Sequence, residues 1–133
     1  MIYLDANVFI YPVLYKGKKA KKATDILSQV VKGKKALTSC LTIDEVVWKI
    51  WIESSRDKGI KEGERLLHFP NLTLAKVKPE TIFQALNLMK RYEQLKPRDS
   101  IHLATALERN ITEIVSDDQD FDQIKGIKRI KLG

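Results

Sequence analysis

The sequence predicts an α/β sandwich built on a mostly parallel sheet, from three observations. Short apolar, β-prone runs alternate along the chain with amphipathic helical stretches. The last residue of several runs is followed at once by a polar or acidic residue. No Gly/Ser/Pro linker, internal repeat or low-complexity tract beyond lysine clusters interrupts the alternation, so a single domain over 1–133 is expected.

Ile2-Tyr-Leu4 is the first expected strand, ending in the polar turn Asp5-Ala-Asn7. Residues 19–32 place Ala20, Ala23, Ile26, Leu27, Val30 and Val31 on one helical face, and Gly33 stops that helix. Ala36-Leu-Thr-Ser39 is a second strand, and a helix starts near Thr42. Its stripe is Ile43, Val46, Val47, Ile50 and Trp51. A further helix is expected from about Ile60 to Phe69, stopped by Pro70. Leu72 to Val77 reads as a third strand, and Pro79 suits the first turn of the next helix. Pro97 breaks the chain before a buried helix opening near Asp99. Ile114-Val-Ser116 is a fourth strand, and Arg129 to Leu132 a fifth at the sheet edge.

Composition narrows the function classes. Hydrophobic residues make up 44% of the 133, enough for a core and too many for global disorder. No apolar run reaches the length that spans a bilayer, and the N-terminus lacks the pattern of a signal peptide, so a soluble cytoplasmic protein is expected. Cys40 is the only cysteine, which excludes an internal disulfide and a thiolate zinc cage; it is expected as a small buried residue at a strand end. The 24 Lys and Arg against 17 Asp and Glu give a net charge of +7. The lysines cluster at 16–22, 32–35, 76–78 and 125–131. Such a surface attracts polyanions, phosphate backbones above all, although each cluster is equally readable as a solvated helix end.

Against that charge, the acids fall where an open parallel sheet binds ligands, beyond the carboxyl ends of its strands. Asp5 follows the first strand, Glu45 lies in the first turn after the second, and Asp117, Asp118, Asp120 and Asp122 follow the fourth. Asp99 opens the helix leading into that strand. Carboxylates gathered this way repel one another unless a cation lies among them, and an all-oxygen set suits Mg²⁺ or Mn²⁺ rather than zinc. Each acid also has a plainer explanation. Asp5 and Asp99 are of the capping type, Thr42-x-x-Glu45 is a capping-box pattern, and 117–122 resembles a solvated turn.

Four segments resemble the successive motifs of the PIN-domain family, in the small stand-alone form of VapC-like toxins. They are Tyr3-Leu-Asp-Ala-Asn-Val-Phe-Ile10, Thr42-Ile-Asp-Glu45, Pro97-Arg-Asp-Ser-Ile-His-Leu-Ala-Thr-Ala106 and Ile114-Val-Ser-Asp-Asp-Gln-Asp-Phe121. The resemblance implies a three-layer α/β/α sandwich with a central, mostly parallel sheet of four to five strands. It implies a metal-dependent endoribonuclease of a VapBC-type toxin–antitoxin pair, using Mg²⁺ or Mn²⁺. Asp5, Glu45, Asp99 and Asp118 match the acids that bind metal and carry catalysis, with Asp117 and Asp120 as substitutes for the fourth. Asn7 and Ser116 match supporting residues, Ser116 standing where threonine is commoner. RNA is the implied substrate, with a small antitoxin and a second copy of the chain as partners. Alternatives are an RNA-processing nuclease without a toxin role and a non-catalytic RNA-binding scaffold. A phosphotransfer receiver fits less well, because an early acidic pair and a lysine after a late strand are missing.

The remaining candidates lie around these segments. Lys16, Lys18, Lys19 and Arg98 are placed to meet RNA phosphates. Tyr11 and Tyr15 are either base-stacking or packing residues. His102, one turn after Asp99, is expected as a hydrogen-bonded core histidine within reach of the acids. Leu41, Glu45, Trp48 and Ile52 share a second face of the helix over 42–53, expected to pack against the helix over 60–69. The competing reading of that face is a dimer or antitoxin surface.

Overall fold

The computed structural model describes residues Met1–Gly133. Five parallel strands form one sheet: β1 (Ile2–Leu4), β2 (Ala36–Ser39), β3 (Leu72–Ala75), β4 (Glu113–Val115) and β5 (Lys128–Ile130), in the order β3-β2-β1-β4-β5. Six helices connect them: α1 (Ala6–Leu14), α2 (Lys18–Val31), α3 (Cys40–Glu53), α4 (Arg56–Leu67), α5 (Pro79–Arg91) and α6 (Pro97–Glu108). Gln119–Gln123 form a turn of 3₁₀-helix. No helix is long and apolar enough to cross a membrane.

The strands are short, and β1 and β2 at the centre are buried along their whole length, so alternate residues feed different cores. Ile2, Leu4, Ala36 and Val115 pack with Ala23, Leu27 and Val30 of α2, Phe9 of α1 and Val46 and Ile50 of α3. Tyr3, Leu37, Ala75 and Ile114 pack on the other face with Leu103 and Ala106 of α6, Phe121 and Ile124. The result is the three-layer sandwich, helices on both faces of a parallel sheet.

Several local expectations are corrected. The helix α1 was not anticipated: it is apolar around most of its girth and contains Pro12, so it carries no amphipathic signal. The helix α3 begins at Cys40 rather than near Thr42. Ser39 is its N-cap, its Oγ accepting the Leu41 amide at 3.0 Å. Thr42 is an interior, buried position whose Oγ1 lies 2.6 Å from Thr38 Oγ1, so no capping box involves Glu45. Cys40 is exposed, not buried, because it opens that helix on its solvent side. Pro97, expected as a break just before the helix opening near Asp99, is itself the first residue of that helix, at the position where a missing N–H costs nothing.

The helical hairpin α3–α4 is closed by two glycines of α4. A Cβ on Gly59 would lie 2.7 Å from the Val47 carbonyl oxygen, and one on Gly63 2.7 Å from Val47 Cγ2. The face of α3 turned to α4 therefore carries Val47 and Trp51. Trp48 and Ile52, expected to pack there, are each 54% exposed. Helical periodicity places them roughly a quarter-turn away from the glycine contact.

Candidate metal and nuclease site

The carboxyl ends of β1, β2 and β4 lie side by side, and the acids after them meet at this edge. Asp5 follows β1 directly and is buried. It is also the N-cap of α1, so the capping explanation holds alongside a site role. Its Oδ1 accepts the Ala6 amide at 2.7 Å and its Oδ2 the Ser116 hydroxyl at 2.6 Å. Each oxygen keeps a lone pair for a further ligand. Ser116, just past β4, spends its single proton on Asp5 while its oxygen accepts the Asp118 amide at 3.0 Å. One hydroxyl thus fixes both the first acid and the start of the fourth-acid loop.

Glu45 reaches the site from the second turn of α3. Its Oε1 lies 2.6 Å from Nε2 of His102, which is fully buried and stands 3.6 Å from Asp5 Oδ1. Ligand atoms of Asp5, Glu45 and His102 all lie within 4.8 Å of one another. A second group with the same spacing joins Asp99, from the first turn of α6, to Asp118 and Asp120. Asp117 turns away from both groups. Its Oδ2 accepts from Lys19 Nζ at 2.8 Å and from the Tyr11 hydroxyl at 2.6 Å. Among the three candidates for the fourth acid, the geometry therefore joins Asp118 and Asp120 to Asp99 and ties Asp117 to the basic surface. Asn7 accepts the Asp117 amide at 3.4 Å and so braces that loop rather than Asp5.

The electrostatics are those of crowded acids. Asp99 is pushed up to about 8, by burial and then by the hydrogen bond and the charge of Asp118 beside it. Burial also raises Asp5, against the opposing pull of His102 and Ser116. For His102 burial works against protonation, but the Glu45 hydrogen bond and the charges of Asp5, Glu45 and Asp99 outweigh it and raise the imidazole. Asp117 moves the other way: burial is overcome by Lys19 and Tyr11, and it stays ionised below the usual range.

This donor set fits a divalent cation. Asp5, Asp99 and the unpaired Oε2 of Glu45 offer hard carboxylate oxygens, and Asp118 keeps one oxygen clear of the Asp120 amide that occupies Oδ1. Without a cation, two of the carboxyls are held above their ordinary range, which is the penalty a bound positive charge removes.

Next to the acids is a cavity of about 310 Å³ whose lining includes Glu45, Asn7, Arg98, Lys49 and Trp48. It shares Tyr11 and Tyr15 with a second cavity of about 490 Å³ edged by Lys16, Lys18 and Lys19. The two tyrosine rings meet edge to face at 5.4 Å, and the Tyr15 hydroxyl donates to Glu53 at 2.6 Å. The sequence reading placed His102 near the acids but missed its partner: its other nitrogen, Nδ1, is hydrogen-bonded to the Tyr3 hydroxyl. The only signal available was that Tyr3 is the one polar-tipped side chain in an otherwise aliphatic strand.

A parallel five-stranded sheet that gathers acids from three strand ends is the arrangement of a PIN domain, and the family model for the PIN domain matches residues 2–127. The chain belongs to the PIN-domain family. Among curated proteins it is similar to ribonuclease VapC13 of Mycobacterium tuberculosis, 23% identical over 130 residues that cover 98% of this chain and 99% of the relative. The VapC ribonuclease Mb1869c of Mycobacterium bovis matches to the same extent. Among solved structures, Mycobacterium tuberculosis VapC20, a sarcin–ricin-loop-cleaving toxin, superposes with a TM-score of 0.78 at 13% identity, covering 92% of this chain and 93% of that one. VapBC2 of Rickettsia felis, bound to a fragment of its promoter DNA, gives 0.73 at 16% identity with 98% of both chains covered.

Proposed function

We infer that this protein is a VapC-type endoribonuclease, the toxin of a toxin–antitoxin pair, which hydrolyses RNA phosphodiester bonds with Mg²⁺ or Mn²⁺. The reading is supported by two groups of acids at one sheet edge of a basic PIN domain, Asp5 and Glu45 with His102 and Asp99 and Asp118 with Asp120, near enough that the charge of Asp5 acts on Asp99. The curated relatives of full length are ribonucleases, and several structural neighbours are toxin–antitoxin complexes. A divalent cation held there supplies charge neutralisation for the phosphate and a water of lowered pKa.

The chain's own residues do the rest. Asp5 and Asp99 are the principal cation holders, and Glu45 and Asp118 complete the set or orient the attacking water. Ser116 keeps Asp5 in place through its 2.6 Å hydrogen bond. Asp99, with a carboxyl near 8, can carry a proton at neutral pH until a positive charge displaces it. Arg98 at the rim and Lys16, Lys18 and Lys19 along the adjoining trough hold the flanking phosphates. The lysines offset an acidic centre that would otherwise repel the substrate. Trp48 and Ile52, exposed beside Glu45, offer an apolar surface for the antitoxin or a second copy of the chain.

The test is cleavage of total RNA by the purified protein, with and without EDTA, beside Asp5→Asn. Chelation abolishes cleavage, Mg²⁺ or Mn²⁺ restores it, and the variant is inactive while keeping its far-UV spectrum. Full activity of the variant, or cleavage that survives exhaustive chelation, overturns the reading.

A further inference from the structure

We propose that His102, braced by Tyr3, is the positioning residue for Glu45, holding that carboxylate by Oε1 in one orientation so that Oε2 is left free for a cation. Three groups from three elements form a buried line. Tyr3 from β1 and His102 from α6 are fully buried, with their rings edge to face at 5.6 Å. Nδ1 of His102 meets the Tyr3 hydroxyl, and Nε2 meets Glu45 Oε1 at 2.6 Å.

Counting donors gives the line its direction. A carboxylate only accepts, so Nε2 carries the proton and donates to Glu45. In the neutral imidazole Nδ1 is then a bare acceptor to which the Tyr3 hydroxyl donates; in the imidazolium both nitrogens donate and the Tyr3 oxygen accepts, so the contact holds in either form. Each group is satisfied, and no buried side-chain polar atom in the protein is left without a partner.

Glu45 needs such a brace more than the aspartates do. Asp5 is fixed by a backbone amide and a serine on a short side chain. Glu45 is longer, its side chain is 17% exposed, and among side chains its hydrogen bond is to His102. A free glutamate would lose its rotamer freedom on meeting the cation. A glutamate already held loses it on folding instead. His102 reaches it from the helix layer on the opposite face of the sheet, so the brace also ties the two layers together at the site.

The consequence for RNA cleavage rests on the ribonuclease reading, whereas cation binding can be measured without RNA. Mn²⁺ affinity is titrated by electron paramagnetic resonance for the wild type, His102→Leu, His102→Gln and Tyr3→Phe, each checked by thermal melting. The leucine variant has no donor and loses about 10–100-fold in affinity, the range usual for losing a residue behind a ligand. The glutamine variant, whose amide nitrogen reaches the place of Nε2, recovers most of it. Tyr3→Phe falls between. With an RNA oligonucleotide, kcat drops in the leucine variant while KM stays, because the substrate contacts are untouched.

A folded leucine variant with wild-type affinity overturns the proposal, as does a folded glutamine variant no better than leucine. If the leucine variant does not fold, Tyr3→Phe decides: unchanged affinity overturns. Nitrogen coupling from directly bonded imidazole in the wild-type Mn²⁺ signal makes His102 a ligand and likewise overturns it. Absence of cleavage throughout, with the affinity series as expected, would count against the ribonuclease and not against the brace.

Discussion

Asp99→Asn should make the cation-free protein more stable at alkaline pH while removing its response to cation. In the folded state Asp99 titrates at about 8 instead of 3.8. A raised carboxyl stabilises the fold at low pH, and that contribution is lost as pH rises towards the folded value. Between pH 5 and pH 8 the loss has a ceiling of roughly 4 kcal/mol, about 1.4 kcal/mol per pH unit. Asp99 is only partly buried and its partner Asp118 can move, so water screens the pair. A net effect of about 1–2 kcal/mol is the working figure. Asparagine has nearly the same shape and no charge to lose. In EDTA, the Tm advantage of the variant over the wild type should grow by about 3–8 °C between pH 5 and pH 8. Saturating Mn²⁺ reverses the order. At a hundred times Kd it adds about 2.7 kcal/mol to a protein that binds it, and little to the variant. Differential scanning calorimetry at the two pH values, with EDTA and with Mn²⁺, reads all four numbers. A Tm difference that does not change with pH, or equal stabilisation of both proteins by Mn²⁺, would refute the crowding of Asp99 against Asp118.

Two further outcomes follow from the packing. Gly59→Ala puts a Cβ 2.7 Å from the Val47 carbonyl, which backbone cannot easily yield. Overpacking costs about 1–3 kcal/mol and helix propensity returns about 1 kcal/mol, so urea unfolding should show a net loss of up to about 2 kcal/mol; higher stability would contradict the close approach of α3 and α4. Trp48→Glu should leave the unfolding midpoint nearly unchanged, because the ring is 54% exposed. It should weaken co-purification with the antitoxin or self-association in light scattering, and retention of both would leave the exposed face without that role.

What could be read from the chain in advance depended on the kind of signal. The strands and the helices α2, α5 and α6 announced themselves by period and by proline or glycine at their ends. Asp5 and Asp99 stood out because an acid directly after an apolar strand, or in the first turn of an apolar helix, is conspicuous. The helix α1 stayed hidden, since an apolar segment with an internal proline has no face to detect. The start of α3 was misjudged because Thr42-x-x-Glu45 imitates a cap, while the true cap, Ser39, is also the last residue of a strand. The choice among Asp117, Asp118 and Asp120 needed three dimensions: Lys19 and Tyr11, roughly a hundred residues earlier, draw Asp117 aside. The Tyr3–His102 contact spans 99 positions and leaves no trace in local pattern. Trp48 was assigned to the wrong neighbour because an amphipathic helix does not reveal which of two apolar faces its partner will choose, and the glycines of α4 decided it.

The hydroxyl of Ser116 works as a ruler. Asp5 and Asp118 belong to chain segments more than a hundred residues apart, yet the separation between their anchoring points is set by two hydrogen bonds to one oxygen, of 2.6 and 3.0 Å. Lengthening or emptying that position alters the bite of the whole acidic claw without touching any of its tips. The spacing of the acids is therefore set in part by a residue that is not one of them.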